Sequence, residues 1–400
     1  MKKIKNHRLF FRLIIILFSI PLCIWCFSLS FPILRVCADE EKVQTQLEET
    51  IVEELNRLDL ERLEDYLKSL QGFNEKSVVD YLLDYVKGVD FDYKSLSQAL
   101  LDIFFNQVKD VLPVFACITA VALLSGIVST LKSGMLGQTS SEMIFIVTYL
   151  AALIPLIGAL TGVFRASVGA INAMKEQMQL IFPLMLTLIA ASGGSVSATV
   201  CRPAVAFFST TIVSVISSVV FPITITIILF SMASKLTNQL KIGKFTTFFK
   251  SINKWIIGVC VSVFGLFFTL QGITGAIYDG VVRRAAKYAI GNGIPIIGGF
   301  LSGGFDLAVA GGVLIKNSLG SMGIFLMLSV LFEPIALLVA VNLLLRFVSA
   351  ITQSFGDGRI SDFLGETAEN LHYCTAGLLF VAFLYFLSIV VLIFSTEALF

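Results

Sequence analysis

Uncharged apolar runs of about twenty residues recur along this chain, and nothing else in it restricts the fold so tightly. Val111 to Leu131, Met143 to Phe164, Trp255 to Ile277 and Cys374 to Ser395 each lack a charged side chain. Crossing a hydrocarbon core roughly 30 Å thick takes about twenty helical residues, so each run reads as a transmembrane helix. A fifth run, Ala204 to Met232, would be about 43 Å long as a helix and must tilt, kink or project, with Pro222 the expected kink. A sixth, Ser321 to Leu345, carries Glu333 and Pro334. The chain therefore reads as an all-α, polytopic membrane protein with about six full spans. Composition agrees, since 56% of residues are hydrophobic and only 14% are charged, too few to cover a soluble core. A net charge of +1 gives no field that would draw nucleic acid or acidic substrates, and lipid is the surrounding the composition demands.

The start of the chain predicts export. Lys2, Lys3, Lys5, Arg8 and Arg12 precede an apolar stretch from Leu13 to Leu34, then Val36-Cys37-Ala38 and the acidic Asp39-Glu40-Glu41. That order is a signal peptide over residues 1–38, or an uncleaved anchor helix, and either reading puts residue 39 onward outside the cytoplasm. Arg35 and Val36 sit where a lipoprotein signal wants small residues, which disfavours lipidation at Cys37. Residues 39–110 hold more than half of the 28 acidic residues and no cysteine. Leu60, Leu63, Leu67 and Leu70 recur there at helical spacing, so this exported acidic segment reads as amphipathic helix, either a solvated spacer or a docking surface. Ser77 with Asp80, and Ser95 with Gln98, form capping boxes that open further helices. Residues 111–400 form the polytopic domain.

Two stretches fail as ordinary spans. Leu180 to Ala191 is apolar for roughly 18 Å of helix and then meets Ser192-Gly193-Gly194. Gly291 to Ile315 is loaded with glycine and carries Asp306. Both read as Gly/Pro-broken, re-entrant elements, a form tolerated at membrane depth only inside protein or beside water. Lys235, Lys241, Lys244, Lys250 and Lys254 mark one loop as cytoplasmic, and that requires Leu180 to Ala191 not to cross. Arg283, Arg284 and Lys287 then lie outside, against the same rule. A faint repeat relates the two stretches: span, amphipathic stretch, Pro183 or Pro295, SGG at 192–194 or 302–304, then another span.

No chemistry of the usual kinds is written in the sequence. The only histidines, His7 and His372, stand apart from any second ligand, and no phosphate loop, dinucleotide fingerprint or nucleophile elbow occurs. The seven cysteines are scattered and read as small apolar residues. No cofactor is implied. Glu333 and Asp306 are the carboxylates expected at membrane depth, where they line a pore or gate or pack helices in protonated form. Gly158 and Gly162, like Gly299 and Gly303, have the spacing that lets helices pack closely.

Three passages carry a resemblance: FPLMLTLIAASGGSVSA (182–198), YDGVVRRAAKYAIGNGIPIIGG (278–299) and LIKNSLGSMG (314–323). They resemble the stage III sporulation protein AE family of endospore-forming bacteria, and chain length, signal segment and span order agree. The family has no established catalytic residues. Its motif positions here, Ser192, Gly193, Gly194, Asp279, Gly280, Lys287, Gly291, Asn292 and Pro295, are nominated as structurally or functionally important. The resemblance implies a non-enzymatic subunit of a secretion-like channel between mother cell and forespore. It implies residence in the mother-cell membrane that engulfs the forespore, and as partners the other stage III sporulation A proteins and the forespore protein Q. The competing reading is a stand-alone secondary transporter built on the broken-helix repeat. An intramembrane enzyme lacks a paired nucleophile and base.

Overall fold

Backbone inside a bilayer must satisfy its own hydrogen bonds, and helix is the form taken by every regular segment described. The structure, a computed structural model, describes residues 58, 60–69, 77–80, 82, 93–132, 138–192, 194–236, 242–267, 298–355 and 358–397. All of these lie in one compact unit, Thr50–Phe400. The expected signal segment falls outside the described residues, as do Gly193, Asp279, Gly280, Lys287, Gly291, Asn292 and Pro295.

Helix α1 is Glu61–Ser69, α2 is Tyr93–Lys132 and α3 is Gln138–Ala191. Helix α4 begins as Ser195–Ala206, passes through two π-helical stretches, Phe207–Ile212 and Ile216–Val220, and ends as Phe221–Leu236. Helix α5 is Gly243–Phe267, α6 is Gly298–Phe355, α7 is Gly358–Asn370 and α8 is His372–Glu397. Among the described residues, six stretches are long and apolar enough to cross a membrane. Several hydroxyls within them bond to carbonyls one turn back, as Thr119 does to Phe115 at 2.7 Å and Thr352 to Val348 at 2.8 Å, whereas the buried Ser167 and Tyr385 hydroxyls have no hydrogen-bond partner among the described residues.

Two expectations are corrected. Leu180 to Ala191 is no separate half-span but the last turns of the 54-residue α3, about 81 Å long. The intervening stretch keeps its amphipathic period, and Pro183 is accommodated inside the helix. The glycine-rich stretch is likewise helix from Gly298 onward and runs unbroken into the 58-residue α6. Each helical glycine costs up to about 1 kcal/mol relative to alanine, and close packing offsets that cost here. Side chains at Gly320 and Gly323 would strike Ile393 and Ile389 of α8, and one at Gly312 would strike the Ser192 hydroxyl. The two SGG motifs also part ways: 192–194 separates α3 from α4, while 302–304 lies within α6.

Two smaller readings change as well. Helix α2 already runs from Tyr93, so Ser95 lies inside it, whereas the Ser77 box forms as expected, with Val79 N–H on the Ser77 hydroxyl at 3.1 Å and Ser77 N–H on Asp80 at 3.3 Å. Gly158 and Gly162 have nothing beside them, so the close helix contacts lie at other glycines.

Named contacts fix the register of the bundle. At one end Tyr149 Oη donates to the Met232 carbonyl at 2.9 Å, Asn370 Nδ2 donates to Ser231 at 3.2 Å, and Lys235 Nζ lies 2.9 Å from Glu366. At the other end Ser192 abuts Gly312, and the fully buried Lys316 ammonium donates to the Ile393 carbonyl near the end of α8. Between them Asn253 Nδ2 donates to Thr224 at 2.9 Å, and the rings of Phe182 and Tyr385 meet edge to face at 5.6 Å.

Candidate functional site: a polar face on the α3–α4 hairpin

The exposed side of α3 changes character along its length. Toward its start the exposed residues are Met143, Val147, Leu150, Ile154 and Ile157, with Ile154 73% accessible, an ordinary lipid-facing surface. From Thr161 onward they are Thr161, Arg165, Asn172, Glu176, Gln179 and Thr187, with Gly162, Gly169 and Pro183 between. No large hydrophobic residue is exposed on that part of α3. Spacings of three and four place these residues on one side of the helix. Thr161 to Thr187 spans about 39 Å, more than the thickness of a hydrocarbon core.

Helix α4 extends this face. Lys175 Nζ donates to the Ser214 hydroxyl at 2.9 Å, and Gln179 Nε2 reaches the Thr210 hydroxyl at 3.5 Å. Thr199, Arg202, Thr211 and Ser218 are exposed on the same helix. Here α4 is widened: Val213 N–H bonds to the Phe208 carbonyl and Phe221 N–H to that of Ile216, five residues back in each case. Pro222 lacks an N–H and its ring presses on the carbonyl four residues earlier, so a wide turn just before it relieves the clash. The expected break at Pro222 thus takes the form of π turns, which place hydroxyls opposite Lys175 and Gln179.

Helix α1 leans against α3. Leu60, Leu63, Tyr66 and Leu67 are buried, while Glu61, Arg62, Asp65 and Lys68 face outward. Gln177 Nε2 donates to the Tyr66 hydroxyl at 3.0 Å and to the Leu326 carbonyl of α6 at 3.2 Å. Burial pushes the Tyr66 phenol above its ordinary value, the Gln177 bond pulls it back and nearby Glu176 raises it, so the hydroxyl stays neutral. Gln177 is fully buried, and its carbonyl oxygen has no hydrogen-bond partner among the described residues. This part of the acidic segment is therefore bound to the bundle rather than a free spacer.

The nominated residues that the structure describes, Ser192, Gly194, Asp306 and Glu333, are dispersed. Ser192 is buried and donates to the Leu188 carbonyl at 2.8 Å, and Gly194 N–H closes on the Ile189 carbonyl at 2.8 Å. That bond returns to the last turn of α3, and Ser192 and Gly194 lie where α3 gives way to α4. Glu333 is exposed on α6, where Gln107 Nε2 of α2 lies 3.5 Å from its carboxylate, away from the α3–α4 contacts. Asp306 is carried by the backbone of α6. Lys175, Gln177, Gln179 and Lys316 were not singled out from sequence. A lone lysine in the otherwise apolar run around 309–326 was the available signal for Lys316. No cluster of three metal-ligating side chains occurs among the described residues.

Comparison with known proteins adds a lineage. The family model for stage III sporulation protein AE matches residues 76–396. Stage III sporulation protein AE of Bacillus subtilis (strain 168) is 24% identical over 330 residues, covering 82% of this chain and 83% of the relative. No solved structure matches the chain.

Proposed function

The chain belongs to the stage III sporulation protein AE family, and from that premise we propose that it is a non-enzymatic membrane subunit of the channel joining mother cell and forespore, with its α3–α4 polar face turned to the water-filled passage. The exposed stripe from Thr161 to Thr187 is the observation that carries this reading. On insertion scales an Arg or Lys in the middle of a span costs about 3 kcal/mol in lipid, and such residues face water or protein instead. A helix whose later part is polar along its free side and apolar along its packed side suits the wall of a conduit.

Orientation follows from the charges. With the N-terminal segment outside, α2 enters the cytoplasm, α3 leaves it and α4 returns. The Lys235–Lys254 cluster then lies inside because α3 is one continuous crossing, and no re-entrant segment is needed. Ser192 and Gly194 belong to the outer side, in the space between the two membranes. The partners are the other stage III sporulation A proteins and the forespore protein Q, and the home of the complex is the mother-cell membrane engulfing the forespore.

Purification of the tagged chain from sporulating cells tests this. Recovery of those partners supports the reading, and recovery of a fully inserted, functional chain without them rejects it. The π turns of α4 beside Lys175 also suit a stand-alone transporter, a rival that substrate uptake by the purified chain in liposomes would favour.

A further inference from the structure

At the lysine-rich end of the bundle a half-open cavity of about 400 Å³ lies between the end of α4, the start of α5 and α7. Its charges do not close on one another. Lys235 is engaged, with its ammonium 2.9 Å from Glu366 and 4.0 Å from Asp362. Lys250 on α5 and Glu369 on α7 line the same cavity and have no ion-pair partner among the described residues. Thr246 is only 7% exposed, lines the cavity, and its hydroxyl has no hydrogen-bond partner among the described residues. Gly243, the first residue of α5, is also in the lining, so the positive end of a 25-residue helix opens there.

One wall therefore offers a cation, a buried hydroxyl and a helix N-terminus, and the other offers a carboxylate. A purely anionic ligand would face Glu369, and a purely cationic one would leave the α5 wall unmatched. We propose that this cavity binds a phosphoethanolamine group, its phosphate against Lys250, Thr246 and the start of α5 and its ammonium against Glu369. The group is the headgroup of an aminophospholipid or the soluble phosphoester.

Native mass spectrometry of the full chain in detergent, with added phosphatidylethanolamine, phosphatidylglycerol or phosphatidylcholine, tests the assignment. Phosphatidylethanolamine is expected to be retained about tenfold better than the other two, since each of them forfeits a charge-assisted hydrogen bond. Thr246→Val, Lys250→Gln and Glu369→Gln should each weaken retention by about the same factor while unfolding at the wild-type temperature in lipid-free detergent. Displacement of the lipid by millimolar soluble phosphoethanolamine would keep the chemistry and assign the soluble source. Retained lipid under that challenge assigns the headgroup. Equal retention of all three lipids, or retention unchanged in Lys250→Gln and Glu369→Gln, overturns the proposal.

Discussion

The amide of Gln177 in α3 is shared between the Tyr66 hydroxyl of α1, at 3.0 Å, and the Leu326 carbonyl of α6, at 3.2 Å. One buried side chain thus ties an N-terminal helix to two of the longest helices of the bundle. Removing one of its acceptors leaves a buried N–H without a partner, and such loss costs about 1–3 kcal/mol. Tyr66→Phe should therefore destabilise the attachment of α1 by about 1–2 kcal/mol, read as faster proteolysis between residues 70 and 92 in detergent. Gln177→Leu removes the stranded N–H, so combining the two should cost less than their sum. Strict additivity would mean the bond contributes nothing.

The close approach of α3 and α6 at Ser192 and Gly312 gives a second test. Gly312→Ala forces its new methyl onto the Ser192 hydroxyl and should lower stability by about 1–3 kcal/mol. Ser192→Ala loses only the bond to Leu188 and should rescue the Gly312→Ala protein in thermal unfolding. A Gly312→Ala protein as stable as the parent would contradict the packing.

Glu333 is expected to matter little to passage. Its carboxylate accepts from Gln107 on the α2 side, and Glu333→Gln keeps that acceptor and the shape. Unchanged thermal stability and normal forespore development are the expected results. Arrested development with an intact assembly would move the conduit to the α2–α6 side.

Orientation is tested by thiol labelling of otherwise cysteine-free protein. A cysteine at Ser195 should react with an impermeant reagent added outside, and one at Gly243 should be protected. The reverse pattern would overturn the orientation proposed for the bundle.

Fold class and most spans were legible because a bilayer dictates the length and polarity of what crosses it, as Cys374 to Ser395 within α8 shows. The continuity of α3 was not. Arg165, Lys175 and Glu176 interrupt its apolar runs, and sequence reads such an interruption as an interface when it is one exposed face of an unbroken helix. The glycines of α6 misled for a related reason. Their helix cost is local and visible, while the close neighbour of Gly312 in that stretch, Ser192, is distant in sequence. Gln177 was hidden because a single buried amide inside an amphipathic stretch looks like any other polar residue until Tyr66 and Leu326 stand beside it.

The proposed contact of the α3–α4 polar face with water is read by cysteine scanning along α3 in sporulating cells. With the native cysteines replaced, substitutions at Arg165, Gly169, Asn172, Glu176, Gln179, Pro183 and Thr187 should react with a small, charged, impermeant thiol reagent at every third or fourth position. Substitutions at Ile154 and at buried Ile171, Met174 and Met178 should stay unreactive. Labelling that stops within a turn or two of Thr187 and leaves Asn172 and Gln179 untouched would place this face against lipid or packed protein and contradict the account.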